Sequence, residues 1–348
     1  VRFFLLVLAF SASGASAQAI CEADPAQHRA PERAPLLSEI ASGDDEAEMF
    51  LHLYLCAYAP EALATPGDLV RVVTFRDSLV ARLSPRMETW FFAPEGERYD
   101  DAEALYAETA ALGLIPVQAE GMIFGLTQGR FADEALLRLA PPDLALYLTF
   151  VAAEGEGAGG EYPFGDLDAE AQMIVAGEQL RAEYPSSPYV GATQEAFGRA
   201  LLTLASLHPV AMEGMDEPQW MAGVATTEFF PWMASREPLA AFVRDARASR
   251  YQKPLAAILA DPPDAGVEGG MDVLVLGGPL NAREHAEARA LAHLDSGIDV
   301  VGPLLLDDAW YVVYRYYPQG DNRINTAYER AVEMGLELEV MDYVPEVY

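Results

Sequence analysis

Hydrophobic positions over roughly the first three quarters of the chain recur with the 3.6-residue period of a helix. They predict helices at 46–59, 67–84, 101–113, 131–140, 142–154, 168–184, 189–207 and 238–260. The clearest pair flanks Tyr184-Pro185-Ser186-Ser187-Pro188-Tyr189. Upstream, Met173, Ala176, Leu180 and Tyr184 fall on one stripe, and downstream Ala196, Phe197, Ala200, Leu201 and Leu204 form another. Two prolines stop one helix and start the next, so the pair is expected to fold back antiparallel. Two stretches break the pattern. Residues 114–118 and 122–127, around Ala119-Glu120-Gly121, predict a short β-hairpin. Glu154-Gly155-Glu156-Gly157-Ala158-Gly159-Gly160 reads as a flexible loop, with acids in place of the Lys and Thr of a phosphate-binding loop.

The texture changes at Asp261-Pro262-Pro263-Asp264-Ala265-Gly266-Val267-Glu268-Gly269-Gly270, expected to be a linker over 261–270. Beyond it, runs of period two alternate with helical runs: strand 272–277, helix 282–294, strand 298–306, strand 310–317, helix 322–334 and strand 336–343. This is a βαββαβ order, which usually gives an antiparallel sheet with both helices on one face. Asn281 followed by Glu284 predicts a capping box. If Val273, Val275, Tyr311 and Val313 point toward the helices, then Leu274, Leu276, Trp310, Val312, Tyr314 and Tyr316 point away. That outward face would be aromatic, suited to stacking sugar rings or to packing on another part of the protein. Arg315 would lie opposite, with no role assigned.

Gly277-Gly278-Pro279-Leu280-Asn281-Ala282-Arg283-Glu284-His285-Ala286-Glu287-Ala288, continuing to Gly297-Ile298-Asp299-Val300, resembles the first half of a SPOR domain, the sporulation-related repeat, and Trp310-Tyr311-Val312-Val313 resembles its third strand. The Gly-Pro-aromatic turn of that family is replaced here by Tyr316-Tyr317-Pro318-Gln319-Gly320. The resemblance implies a ferredoxin-like fold that binds peptidoglycan glycan stripped of stem peptides on the sheet face away from the helices. The punctuation Glu183-Tyr184-Pro185-Ser186-Ser187-Pro188-Tyr189 resembles that of tetratricopeptide-like repeats, although no 34-residue period recurs elsewhere.

Arg2, the apolar run 3–10 and Ala15-Ser16-Ala17 have the order of a signal peptide over 1–17, so export to the periplasm or beyond is expected. Ile20 before Cys21 argues against a lipid anchor, and no later stretch predicts a membrane span. A net charge of −32, with Lys253 the only lysine, disfavours nucleic acid as a partner. The two cysteines, Cys21 and Cys56, predict a disulfide closing a loop of roughly 36 residues, worth on the order of 3–4 kcal/mol.

The sequence holds no G-x-S-x-G, H-E-x-x-H, P-loop or dinucleotide fingerprint. His285 and His293 lie too far apart along one helix to share a metal. Asp44-Asp45-Glu46 and Asp166-x-Asp168-x-Glu170 resemble fragments of calcium loops, but capping explains acids before a helix. The expectation is an α+β multidomain protein: a helical array at 18–260 and a ferredoxin-like domain at 271–348. It is non-enzymatic, needs no cofactor or metal, and binds peptidoglycan glycan or an envelope protein. A helical interaction module with a structural C-terminal domain and an envelope hydrolase are the alternatives.

Overall fold

The computed structural model describes residues 30–58, 65–93, 98–119, 122–131, 137–158, 167–210, 219–223, 231–234, 237–262, 270–306 and 309–343. The expected signal peptide, Cys21, most of the expected linker and part of the 131–140 helix lie outside them. The fold is mixed helix and small antiparallel sheets, an α+β architecture. The chain forms two compact units, Val1–Pro163 and Phe164–Tyr348.

In the first unit, α1 (Ala30–Arg33), α2 (Pro35–Ala41), α3 (Asp45–Ala57), α4 (Pro66–Phe91) and α5 (Tyr99–Ala111) precede the hairpin β1 (Leu114–Ala119) and β2 (Met122–Gln128), and α6 (Pro142–Ala158) follows. Asp44 caps α3: its Oδ1 accepts from the backbone N–H of Glu46 at 3.1 Å and of Ala47 at 3.0 Å. Thr65 and Asp68 form a capping box on α4, with Pro66 in the first turn. α4 runs through Pro85 to Phe91, beyond the end expected at residue 84. The buried stripe Leu79, Leu83, Met87 and Phe91 runs past the proline and holds the helix to its neighbours. The hairpin forms at the expected place and rests on α4, where Ser84 Oγ accepts from Leu126 N at 3.1 Å.

The stretch expected to be a flexible loop is helical as far as Ala158. A Cβ at Gly155 would lie 1.8 Å from the Gln128 carbonyl oxygen, so glycine there lets α6 seat its backbone directly on β2.

The second unit opens with α7 (Leu167–Glu183), α8 (Pro188–Ala192) and α9 (Gln194–Ala205). The expected helix at 189–207 is thus divided at Thr193, and α9 packs on α7 with the Arg181 guanidinium 3.9 Å from the Phe197 ring centre. Next comes an unexpected antiparallel sheet, β3 (Leu207–Val210), β4 (Gln219–Gly223) and β5 (Pro231–Ala234). The helix expected at 238–260 is two, α10 (Glu237–Asp245) and α11 (Gln252–Ala260).

The chain then forms β6 (Met271–Leu280), α12 (Arg283–Asp295), β7 (Gly302–Leu306), β8 (Ala309–Pro318), α13 (Arg323–Glu333) and β9 (Leu338–Tyr343). All strand pairs are antiparallel, in the order β7-β8-β6-β9. The capping box expected at Asn281 does not form, because α12 starts one residue later with Ala282 at its N-cap. A Cβ on Gly198 would come within 2.8 Å of Leu291, so α9 approaches α12 closely. Tyr251 Oη donates to Asp295 Oδ1 at 2.5 Å, fastening the start of α11 to the end of α12.

Candidate functional site

Paired residues of an antiparallel ladder share a face. Leu274 pairs with Arg315 and Leu276 with Val312, whereas Val273 pairs with Tyr316 and Val275 with Val313. Between Arg315 and Val313, β8 carries one extra residue, Tyr314, a bulge that breaks the expected alternation. Arg330 of α13 donates to Tyr314 Oη at 2.7 Å and to Asp299 Oδ2 at 2.7 Å, and Asp299 also accepts from Arg315. The Arg323 guanidinium lies 4.8 Å from the Tyr317 ring, and that of Arg283, at the start of α12, lies 5.9 Å from the Trp310 ring.

The helices therefore cover the face carrying Leu274, Leu276, Trp310, Val312 and Tyr314, the reverse of the expected assignment. Tyr316 alone of the expected platform lies on the other face, with Val273, Val275 and Val313. Along residues 273–276 of β6 and 312–317 of β8 neither face is open. Leu274, Val312 and Tyr314 are 0 % exposed on one, and Val273 and Val275 are 0 % and Tyr316 5 % exposed on the other. Trp310 is half-buried near the start of its strand. Both faces are apolar along these strands, so alternation alone cannot say which one the helices cover.

Arg315, to which the sequence assigned no role, is the centre of a polar cluster. It is fully buried, and its guanidinium donates to the backbone oxygens of Asp261 at 3.0 Å, Asp299 at 2.5 Å and Tyr314 at 2.6 Å, as well as to the Asp299 carboxylate. Tyr317 Oη donates to Asp261 Oδ1 at 2.9 Å. Burial raises the Tyr314 and Tyr317 phenols above their usual range and keeps both protonated, Tyr317 as the donor to Asp261 and Tyr314 as the acceptor from Arg330. Two guanidinium groups face two carboxylates, and the bonds tie together the end of α11, the α12–β7 connection, β8 and α13. A cluster so fully paired positions segments and offers no free group for chemistry. The readable signal was an arginine inside the apolar run Trp310-Tyr311-Val312-Val313-Tyr314-Arg315-Tyr316-Tyr317, since a charge there requires a partner.

The first unit has a buried polar cluster of its own. Arg76 is 0 % exposed, its Nη1 donates to Gly129 O at 3.1 Å, and its guanidinium stacks 4.3 Å from the Phe131 ring centre. Its Nε and Nη2 have no hydrogen-bond partner among the described residues. Adjacent Asp77 accepts from Gln128 Nε2 and Tyr147 Oη, each at 2.8 Å. Burial pushes its carboxyl up to about 6, against the opposing pull of Arg76 and the Tyr147 hydrogen bond.

Cys56 is buried at the end of α3, its Sγ 3.7 Å from His52 Nε2. Among the described residues, no group of three or more His, Cys, Asp or Glu could hold a metal ion, and no helix is long and apolar enough to cross a membrane. His285 and His293 both lie on α12, and burial beside Arg289 lowers the His293 imidazole below its usual value. No protein-family model, curated protein or solved structure matches the chain.

Proposed function

We propose that the chain is a non-enzymatic protein of the cell envelope that holds a protein partner, with its C-terminal sheet serving as structural core. The observation that carries this reading is the burial of the expected sugar-binding side chains: among the described residues Leu274, Leu276, Val312, Tyr314 and Tyr316 are at most 5 % exposed, too little for a sugar to stack on. The βαββαβ order and the strand order β7-β8-β6-β9 support a ferredoxin-like reading of residues 271–348, and the Tyr184–Tyr189 turn between packed helices supports a tetratricopeptide-like one for that pair. Export and the Cys21–Cys56 disulfide belong to the same proposal.

A second reading, binding of peptidoglycan glycan by a SPOR-like domain, is favoured by Trp310, whose ring remains partly exposed beside Arg283. Pull-down of the full chain with sacculi, intact and with stem peptides removed by amidase, decides between them. The structural reading expects no retention on either. It also expects Tyr314→Ala to lower stability by about 3 kcal/mol, as large-to-small changes of buried aromatics do. Retention that rises after stripping and is lost in Trp310→Ala would replace it with the glycan reading.

A further inference from the structure

The sheet is closed over its central strands but, among the described residues, open at one edge. β9 pairs with β6 alone and ends the strand order, so its outer row of main-chain donors and acceptors has no strand beside it. The opposite edge strand, β7, carries Pro303 and is largely buried, whereas Glu339, Val340 and Asp342 of β9 are exposed. Val340 pairs with Leu274 and so points to the helix side of the sheet.

Successive helical residues turn by about 100°. Ile324, Ala327 and Ala331 form the buried stripe of α13. On one flank of that stripe, Arg323 and Arg330 reach Tyr317 and Tyr314 of β8. The other flank, Tyr328 and Val332, therefore leans toward β9. Tyr328 is 40 %, Val332 51 % and Val340 52 % exposed, an apolar shelf along an unpaired strand edge. Its surroundings are acidic: Glu329 and Glu333 on the solvent side of α13, Glu337 before β9, and Glu339 and Asp342 within it, all exposed.

We propose that the β9 edge and the Tyr328–Val332 flank of α13 receive an extended, basic segment of a partner protein as a fifth strand. Apolar side chains at alternate positions would rest on Tyr328, Val332 and Val340, and Lys or Arg at the intervening positions would face Glu339 on the opposite side of the sheet. Charge selects the occupant. Two copies of this chain would bring the acids of one β9 against those of the other, in molecules that each carry a net charge of −32. The inference rests on the protein-holding reading and names its surface and partner class.

The test titrates the full chain with fluorescein-labelled Lys-Val-Lys-Val-Lys-Val-Lys and follows anisotropy together with hydrogen exchange of residues 338–343. The controls are the same peptide N-methylated at alternate residues, which keeps the charge but loses main-chain donors, and the double variant Val332→Lys/Val340→Lys. Both substituted positions are exposed, so the fold should tolerate them. The expected result is saturable binding that slows exchange in β9 and weakens about tenfold or more with either control, at an unchanged melting temperature. Equal binding of both peptides, or binding without protection of β9, would mean general attraction to an acidic surface and would overturn the edge site. Failure at the edge in a chain that also ignores sacculi defeats this inference alone, because sacculus retention reports separately on the protein-holding reading.

Discussion

Asp77 is a carboxyl whose folded surroundings favour its protonated form, and this fixes the sign of its effect on stability. With the carboxyl raised from 3.8 to about 6, its contribution is fully present below 3.8 and is lost as pH rises through about 6. Since 32 % of the side chain is exposed, solvent limits the effect to the order of 2 kcal/mol. Urea titrations between those pH values should therefore show the wild type losing stability relative to Asp77→Asn as pH rises, with a level difference above. A pH-independent difference would mean that Asp77 ionises normally and that the variant reports only on its bonds to Gln128 and Tyr147. Asp44 moves the other way: its backbone hydrogen bond from Ala47 holds the carboxyl below its usual value, as capping implies. That role was readable from three acids before a helical stripe. The raised Asp77 was not, because the burial that raises it is a product of the folded packing and leaves no local mark in the sequence.

At the level of elements, the contact between α6 and β2 has a sharp test. Gly155→Ala places a methyl group 1.8 Å from a backbone oxygen that cannot turn aside, so α6 must move, at about 3 kcal/mol. Gly191→Ala in α8 meets nothing within 4 Å and should be neutral or slightly stabilising. Thermal melts of the two variants make the comparison, and equal melting would show that α6 does not seat on β2. This contact also explains why the Glu154–Gly160 stretch reads as a loop. Glycine is a poor helix former in isolation, and only the neighbouring carbonyl makes it the residue that fits. The β3–β5 sheet escaped for a related reason: strands of four or five residues, two of them with proline, are too short for period two to show.

Across the whole molecule, the proposed disulfide would join Cys21 to the first long helix. Thiol titration in denaturant should find no reactive thiol before reduction and two afterwards, both cysteines of the chain being engaged. Two thiols before reduction would leave Cys56 as an ordinary buried side chain at the end of α3. The acidity is also a property of the whole chain, since the carboxylates spread along it keep like surfaces apart, and the basic segment proposed for the β9 edge is chosen to complement it. The sequence by itself determined the helical stripes, the hairpin at 114–127 and the βαββαβ order after residue 270, because local periodicity and turn residues specify each of these. It also marked 261–270 as the place where the pattern changes, while the compact units divide at Pro163 and Phe164. Only the tertiary structure decided which sheet face the helices cover, that Arg315 binds Asp299, and that β9 is left at an edge. Strands apolar on both faces carry no local mark of which side is inward, and a single bulge at Tyr314 reorders the side chains around it.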